Sequence, residues 1–212
     1  MEKTNESFKI SNAETIMLNA YAANELSGGL AGGRMARIIS DSFLRYKFVW
    51  HCAEETRHAY VWYELMRELN IPSLEIHAST TTQKSYWTYA KDIKNVIEYL
   101  AYVHVYELRV PFHFNMHKEW TKSARIKEVL QQLIKEEGPH LSWIRDYLKK
   151  EKEKGNYIVD IALKKYLELE KENYRSDLKY LESLGKEALE FVKIIRRNLK
   201  EQEKKMLDAI SF

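Results

Sequence analysis

Four glutamates lie at the centres of four apolar helix faces, and this pattern constrains the fold more than any other feature. Glu25 is followed 30 residues later by Glu55-Thr56-Arg57-His58, and Glu107 is followed 30 residues later by Glu137-Gly138-Pro139-His140. The second unit is offset from the first by 82 residues, from Glu25 to Glu107 and from Glu55 to Glu137. Each unit is typical of a helical hairpin in which one helix carries a lone glutamate and the next carries Glu-x-x-His.

Apolar residues at helical spacing predict four long helices in the first three quarters of the chain. We expect them at about residues 12–39, 42–69, 85–117 and 121–150. Asn70-Ile71-Pro72 ends the second helix, and residues 73–84 are predicted to form a long crossover to the third. The chain contains only 7 Gly and 3 Pro, which favours a few long helices over many short strands. The sequence therefore predicts an all-α fold.

Glycine and proline interrupt this helical pattern. Gly28, Gly29, Gly32 and Gly33 lie inside the first predicted helix, where each costs about 1 kcal/mol relative to alanine. We interpret them as a close approach of another helix or of a metal site, or as a local irregularity; a break in the helix is the alternative. Pro111 predicts a kink just past Glu107. Pro139, between Glu137 and His140, predicts a π-bulge.

Four carboxylates in a protein core require compensating positive charge. Without cations, their burial would cost several kcal/mol for each group. Two divalent cations would offset four negative charges, and two neutral imidazoles would complete the set. Residues three apart share a helix face, so each Glu-x-x-His pair can reach one point. Two lone glutamates and two Glu-x-x-His pairs are the ligand pattern of di-iron and di-manganese four-helix bundles, so the sequence predicts two buried metal ions.

The chain resembles the ferritin-like di-iron carboxylate superfamily over about residues 12–150. The run Glu54-Glu55-Thr56-Arg57-His58 is similar to motifs of multicomponent oxygenase subunits and of rubrerythrin-like and tRNA-hydroxylase-like members. The resemblance implies a ferritin-like antiparallel four-helix bundle with a long crossover between helices 2 and 3. It implies that Glu55 and Glu137 bridge the metals as the catalytic residues, while Glu25 and Glu107 are terminal. The implied metal ligands are Glu25, Glu55, His58, Glu107, Glu137 and His140.

Further acids and histidines lie beside these six. Glu54 and Glu136 precede the ligand glutamates of the two Glu-x-x-His pairs. By the resemblance, either acid would accept a hydrogen bond from a ligand imidazole and so fix its tautomer; the alternative is a solvated surface charge. His51 and His104 are candidates for an extra ligand, and a satisfied core histidine is the other interpretation of each. Glu14 is interpreted as a charge in the first turn of its helix.

The resemblance implies two iron ions, and a mixed Mn/Fe or a Mn/Mn pair would suit the same ligands. It implies activation of O2 or peroxide, with electrons from an external donor, since the chain has no rubredoxin-type cysteine motif. The favoured function is an oxygenase, oxidase or hydroxylase that acts on an unidentified, hydrophobic substrate. The alternatives are a ferroxidase or iron-binding protein, a rubrerythrin-like peroxide scavenger, and a non-catalytic helical subunit.

The chain is predicted to comprise two parts, a di-metal bundle at residues 1–155 and a helical extension at residues 156–212. The extension is expected to contain helices at about residues 158–174 and 177–211, packed on the bundle or on a partner subunit, with a homodimer as one arrangement. A net charge of +3 does not support DNA binding. Cys52 is the only cysteine, and no apolar run reaches the roughly 18 residues of a membrane span. We therefore expect a cytoplasmic protein.

Overall fold

A computed structural model describes residues 9–74, 92–93 and 95–212, and this part of the chain contains six α-helices and no β-strand. The all-α prediction is confirmed for these residues. No helix among them is both long and apolar enough to cross a membrane. The helices are α1 (Asn12–Ala36), α2 (Ser42–Glu68), α3 (Val96–Trp120), α4 (Ala124–Glu153), α5 (Ile158–Ser183) and α6 (Lys186–Ala209).

Side-chain caps set the beginnings of the first four helices. Ser11, Asp41 and Ser123 each accept a hydrogen bond from the backbone N–H three residues further on, which satisfies one free donor of the first turn. The third helix begins later than predicted. The side chain of Asn95 accepts hydrogen bonds from the backbone N–H groups of Ile97 and Glu98, and so caps a helix that starts at Val96. Residues 85–91 of the predicted helix and 75–84 of the predicted crossover lie outside the described residues.

The two C-terminal helices are divided at a different point from the one predicted. The predicted break near residue 175 is wrong, since α5 continues to Ser183 and α6 begins at Lys186. Gly185 has a φ of 76°, a conformation that glycine adopts without the penalty of a β-carbon. The turn therefore forms at the residue whose backbone can reverse the chain.

Three of the four glycines of α1 mark a close approach, as predicted, whereas Gly33 does not, and the helix runs through all four without a break. A β-carbon at Gly28, Gly29 or Gly32 would lie within 3.0 Å of an atom of α2. The predicted π-bulge at Pro139 is wrong, because α4 is a regular α-helix on both sides of it. Pro139 lies on the exposed side of α4. Because proline has no N–H, one carbonyl of the preceding turn lacks its helical hydrogen bond, and water can donate to it there.

Two apolar clusters form the core, one towards each end of the helices. The first cluster includes Ile39, Leu44, Tyr99, Leu148 and Met206. The second cluster includes Leu18, Trp62, Phe114, Leu130 and Phe191. Each of the six helices contributes to both clusters, the last with Met206 and Phe191. On α1 to α4, the predicted ligand positions lie between the stretches that enter the two clusters.

Helix α3 is the centre of the packing, since it contacts α4 on one side and α5 and α6 on the other. Seven consecutive residues, Tyr99 to Val105, are buried around its whole circumference. Further along, the buried Arg109 donates two hydrogen bonds to Glu170 of α5, at 2.7 and 2.8 Å, and one to Gln202 of α6. The C-terminal helices are thus fastened to α3, while the division of the chain at residue 155 stays a prediction.

Candidate metal centre

The four predicted glutamates lie together between the two apolar clusters, one from each of the first four helices. Each of the four glutamates is at most 8% exposed, and both histidines of the Glu-x-x-His pairs are fully buried. The carboxylate oxygens and imidazole nitrogens of this region form two groups. Within each group, the candidate ligand atoms all lie within 4.8 Å of one another. The first group is Glu25, Glu55, His58 and Glu137, and the second is His51, Glu55, Glu107 and His140.

Glu55 and Glu137 link the two groups. Glu55 belongs to both of them. Glu137 lies against both ligand rings, with Oε1 3.2 Å from Nδ1 of His58 and Oε2 3.5 Å from Nδ1 of His140. Nδ1 of His140 is also 3.2 Å from Oε1 of Glu55. The histidine and glutamate of each Glu-x-x-His pair therefore share a helix face, as their spacing predicts, and Pro139 does not displace His140.

A gap in the side chains of α1 leaves room for this cluster. A β-carbon at Gly28 would lie 2.8 Å from Oε2 of Glu55, closer than non-bonded atoms approach. Glu25 lies on the same face of α1, one turn before Gly28, and its Oε2 is 3.7 Å from Nδ1 of His58. Gly28 is therefore the position at which α1 admits the carboxylate that the two groups share.

Of the two extra histidines, His51 joins the cluster and His104 does not. Nε2 of His51 lies 3.0 Å from Oε1 of Glu107, and its ring centroid is 4.5 Å from that of His140. His104 faces Phe212 near the end of the chain, with 6.1 Å between ring centroids, and belongs to neither group. His51 of α2 therefore reaches the acids, whereas His104 of α3 packs against Phe212 instead.

The two acids that precede the ligand glutamates are joined by Arg57. This arginine donates to Glu54 and to Glu136, each at 2.8 Å. Oε2 of Glu136 also lies 3.3 Å from Nε2 of His58, the ring nitrogen that faces away from the cluster. Glu136 is thus placed to orient that imidazole, whereas Glu54 accepts hydrogen bonds from Arg57.

The cluster holds protons tightly when no metal is bound. Burial raises the pKa values of Glu25 and Glu107 to about 8. Burial also disfavours charge on Glu137, His58 and His140, but contacts between acids and rings outweigh it. The pKa of Glu137 is accordingly lowered to about 2, and the pKa values of His58 and His140 are raised to about 10 and about 11. A metal ion that binds here must displace those protons.

Many polar atoms of the cluster lie 3.0–3.7 Å from an atom of opposite character but make no well-aligned hydrogen bond among the described residues. They include both ring nitrogens of His58 and of His140, both carboxylate oxygens of Glu107, and Oε1 of Glu55. Native cores rarely contain several such poorly satisfied groups together. Carboxylate oxygens and imidazole nitrogens are also the donors that divalent transition metals prefer. The residues present therefore fit two metal ions, one in each group.

A second buried network, which the sequence did not reveal, adjoins the cluster. Nε2 of His117 lies 3.0 Å from Oε1 of Glu14, and its Nδ1 lies 3.1 Å from the hydroxyl of Tyr21. Glu14 lies in the first turn of α1, as predicted, but it is buried there, at 3% exposed. Glu14, Tyr21 and Glu25 lie at helical spacing on one face of α1, and that continuous face was the available signal.

A scan against protein-family models and searches of curated proteins and of solved structures found no match to this chain. The assignment of a function therefore depends on the geometry of the buried cluster.

Proposed function

We propose that this protein is a di-iron carboxylate oxidoreductase that activates O2 in the centre of a ferritin-like bundle and oxidises an organic substrate. The observation that carries the proposal is the pair of buried ligand groups that share Glu55. A single structural ion would need one group, whereas two groups with a common carboxylate are suited to two ions held close together.

The order of the apolar clusters supports the ferritin-like topology. Going along the chain, α1 and α4 run from the second cluster to the first, while α2 and α3 run from the first to the second. Helices α2 and α3 therefore point in the same direction. Two consecutive helices that point the same way are the arrangement expected where a long crossover joins them.

Each ligand has a role that follows from its position. Glu55 belongs to both groups, and Glu137 approaches the rings of both His58 and His140. These two glutamates are the residues proposed to bridge the ions. Glu25 and Glu107 each belong to one group and would bind one ion each. His51 would give a further nitrogen ligand to the second ion, the one bound by the group that contains Glu107 and His140. The two metal sites would therefore differ.

Two iron ions in these groups would supply the redox chemistry by which O2 or peroxide is activated. The chain itself supplies a largely apolar environment, since both apolar clusters adjoin the site. Glu136 orients the ring of His58, and Gly28 keeps the space that Glu55 occupies. Electrons would come from an external donor.

Metal analysis of matched variants tests the site. The purified protein is expected to bind about two iron or manganese ions per chain. Glu55→Ala removes the carboxylate common to both groups and should lower the content by at least one ion. The control is Glu64→Ala on the same helix, where a partly exposed acid bonded to Arg67 is removed instead, and it should leave the content unchanged. Full occupancy in Glu55→Ala would reject the site.

The reaction is tested with the reduced, iron-loaded protein. Rapid consumption of O2, accompanied by an absorption change that ends with two oxidised irons per chain, supports the proposed activity. Continued uptake of iron beyond this ratio would instead identify a ferroxidase or iron store, and a reaction with peroxide alone would identify a scavenger. A protein that holds two irons and reacts with neither oxidant would be a non-catalytic subunit.

A further inference from the structure

A cleft of about 160 Å³ lies beside the metal cluster, between α1, α3 and the C-terminal helix α5. Glu25, Glu55 and Glu107 line it, so it reaches the carboxylates of both ligand groups. The half-buried residues Asn24 and Asn173 line it as well, so it also extends towards solvent. Four helices supply the ligands, but a helix outside those four supplies one wall of this cleft.

Several polar groups of the cleft walls are already bonded to protein partners. The hydroxyl of Tyr21 bonds to His117 at 3.1 Å, and that of Tyr174 bonds to His113 at 2.9 Å. The guanidinium of Arg109 is occupied by a bidentate pair with Glu170 and stacks on the ring of Tyr174, 4.1 Å from its centroid. What these side chains offer to an incoming molecule is therefore mainly ring faces and hydrocarbon.

Aromatic side chains in these walls already pack on one another edge to face. The ring of Tyr21 makes such contacts with Phe114, at 5.1 Å between centroids, and with His113, at 5.6 Å. Aromatic pairs with this geometry are favoured by about 0.5–1.5 kcal/mol beyond the burial of their area. A flat ring that enters the cleft can continue the same arrangement, which an aliphatic molecule of equal size cannot.

The size of the cleft limits what it can hold. An engineered protein cavity of about 150 Å³ with apolar walls binds benzene, a known case that sets the scale. The cleft beside the cluster is of the same size, so it accommodates one six-membered ring.

We propose that this cleft binds a monocyclic aromatic compound, with its ring against Tyr21 and Tyr174 and one edge towards the metal cluster. That the bound ring is the substrate rests on the proposed function; that the ring binds does not. The binding site depends on α5, so the C-terminal extension determines what reaches the metals.

Fluorine NMR of small probes tests the binding site and its position together. Fluorobenzene and fluorocyclohexane are added to the full-length protein loaded with Zn²⁺ or with Mn²⁺. Mn²⁺ is paramagnetic and relaxes the nuclei of a ligand held near it, whereas Zn²⁺ does not. We expect fluorobenzene to bind more tightly than fluorocyclohexane, and to show strong additional relaxation only in the Mn²⁺-loaded protein.

A matched pair of variants locates the site. Ala20 lines the cleft, and Ala20→Leu fills part of it, which should weaken fluorobenzene binding by about tenfold or more. Ala23 lies one turn further along the same helix, is equally half-buried and is not part of the lining, so Ala23→Leu should leave binding unchanged. Thermal unfolding checks that both variants fold. If Ala20→Leu does not fold, Ile16→Phe, at a half-buried lining position, replaces it.

The outcomes separate this inference from the proposed function. A protein that holds two metals but binds no fluorobenzene, or binds both probes equally, overturns the inference and leaves the metal site intact. Binding without additional relaxation by Mn²⁺ places the ring elsewhere and also overturns it. Binding that Ala20→Leu abolishes in a protein unable to hold two metals supports the cleft and rejects the proposed function.

Discussion

Alanine at Gly29 should destabilise the protein and alanine at Gly33 should stabilise it, although the two glycines lie one turn apart in α1. A β-carbon at Gly29 would lie 2.6 Å from Oγ1 of Thr56 and 3.1 Å from the backbone oxygen of Cys52. Neither atom can move freely, because the Thr56 hydroxyl donates to that same oxygen at 2.7 Å. A β-carbon at Gly33 would meet no atom of the described residues within 4 Å.

The magnitudes follow from these contacts. Replacing a glycine by alanine inside a helix gains about 0.5–1 kcal/mol, which is the whole expected effect at Gly33. At Gly29 the same gain is outweighed by overpacking, which costs about 1–3 kcal/mol, so a net loss of about 1–2 kcal/mol is expected. For a chain of this length, these changes correspond to a rise in Tm of about 1–4 °C for Gly33→Ala and a fall of about 2–8 °C for Gly29→Ala.

Gly28→Ala separates stability from metal binding. Its β-carbon would meet the tip of the flexible Glu55 side chain, which can swing aside at little cost to folding. Thermal and urea unfolding of the metal-free chain should therefore place Gly28→Ala close to the wild type, while metal analysis should find a lower content. Equal stability of Gly29→Ala and Gly33→Ala would refute the close approach of α1 and α2 on which this reasoning depends.

Three further changes test other parts of the structure. Arg109→Met leaves the carboxylate of Glu170 buried without a partner and should cost about 3–5 kcal/mol in urea unfolding, and adding Glu170→Leu should restore most of the loss. Burial lowers the pKa of His104 to about 4, so between pH 6.5 and 4 only the unfolded chain binds this proton and stability falls as the pH falls; His104→Leu should remove about 2 kcal/mol of the loss between pH 7.5 and 5. His51→Leu should weaken the second metal ion more than the first in a titration, and equal weakening of both would contradict its place in one group.

The convergence of the six predicted ligand side chains could be expected from the sequence, because local rules place them. Residues three apart share a helix face, and equal intervals of 30 residues put Glu25 opposite Glu55 and Glu107 opposite Glu137. The same rules could not decide between His51 and His104, since both lie on helices near a ligand glutamate. That choice depends on which way each helix is rotated against its neighbours. In the structure, His51 faces the buried acids and His104 does not.

Contacts between distant parts of the chain were beyond the sequence. Glu14 meets His117 across 103 positions, and Arg109 meets Glu170 across 61. Each acid taken alone is typical of a surface charge, and only the docking of one helix on another makes it a buried partner. The turn at Gly185 was missed for a different reason, because apolar spacing continues through it and only the left-handed backbone identifies it.

The burial of α3 on all sides has a consequence for how the protein is made. Every proposed ligand has been synthesised by residue 140, yet the second side of α3 is covered only when residues 158–209 have followed. Until then a nascent chain would expose a continuous apolar surface, the kind of species that aggregates or engages chaperones. Acquisition of metal should therefore come after residues 158–209 have been made, and a shortened version ending at residue 155 should be insoluble rather than a minimal metal-binding domain.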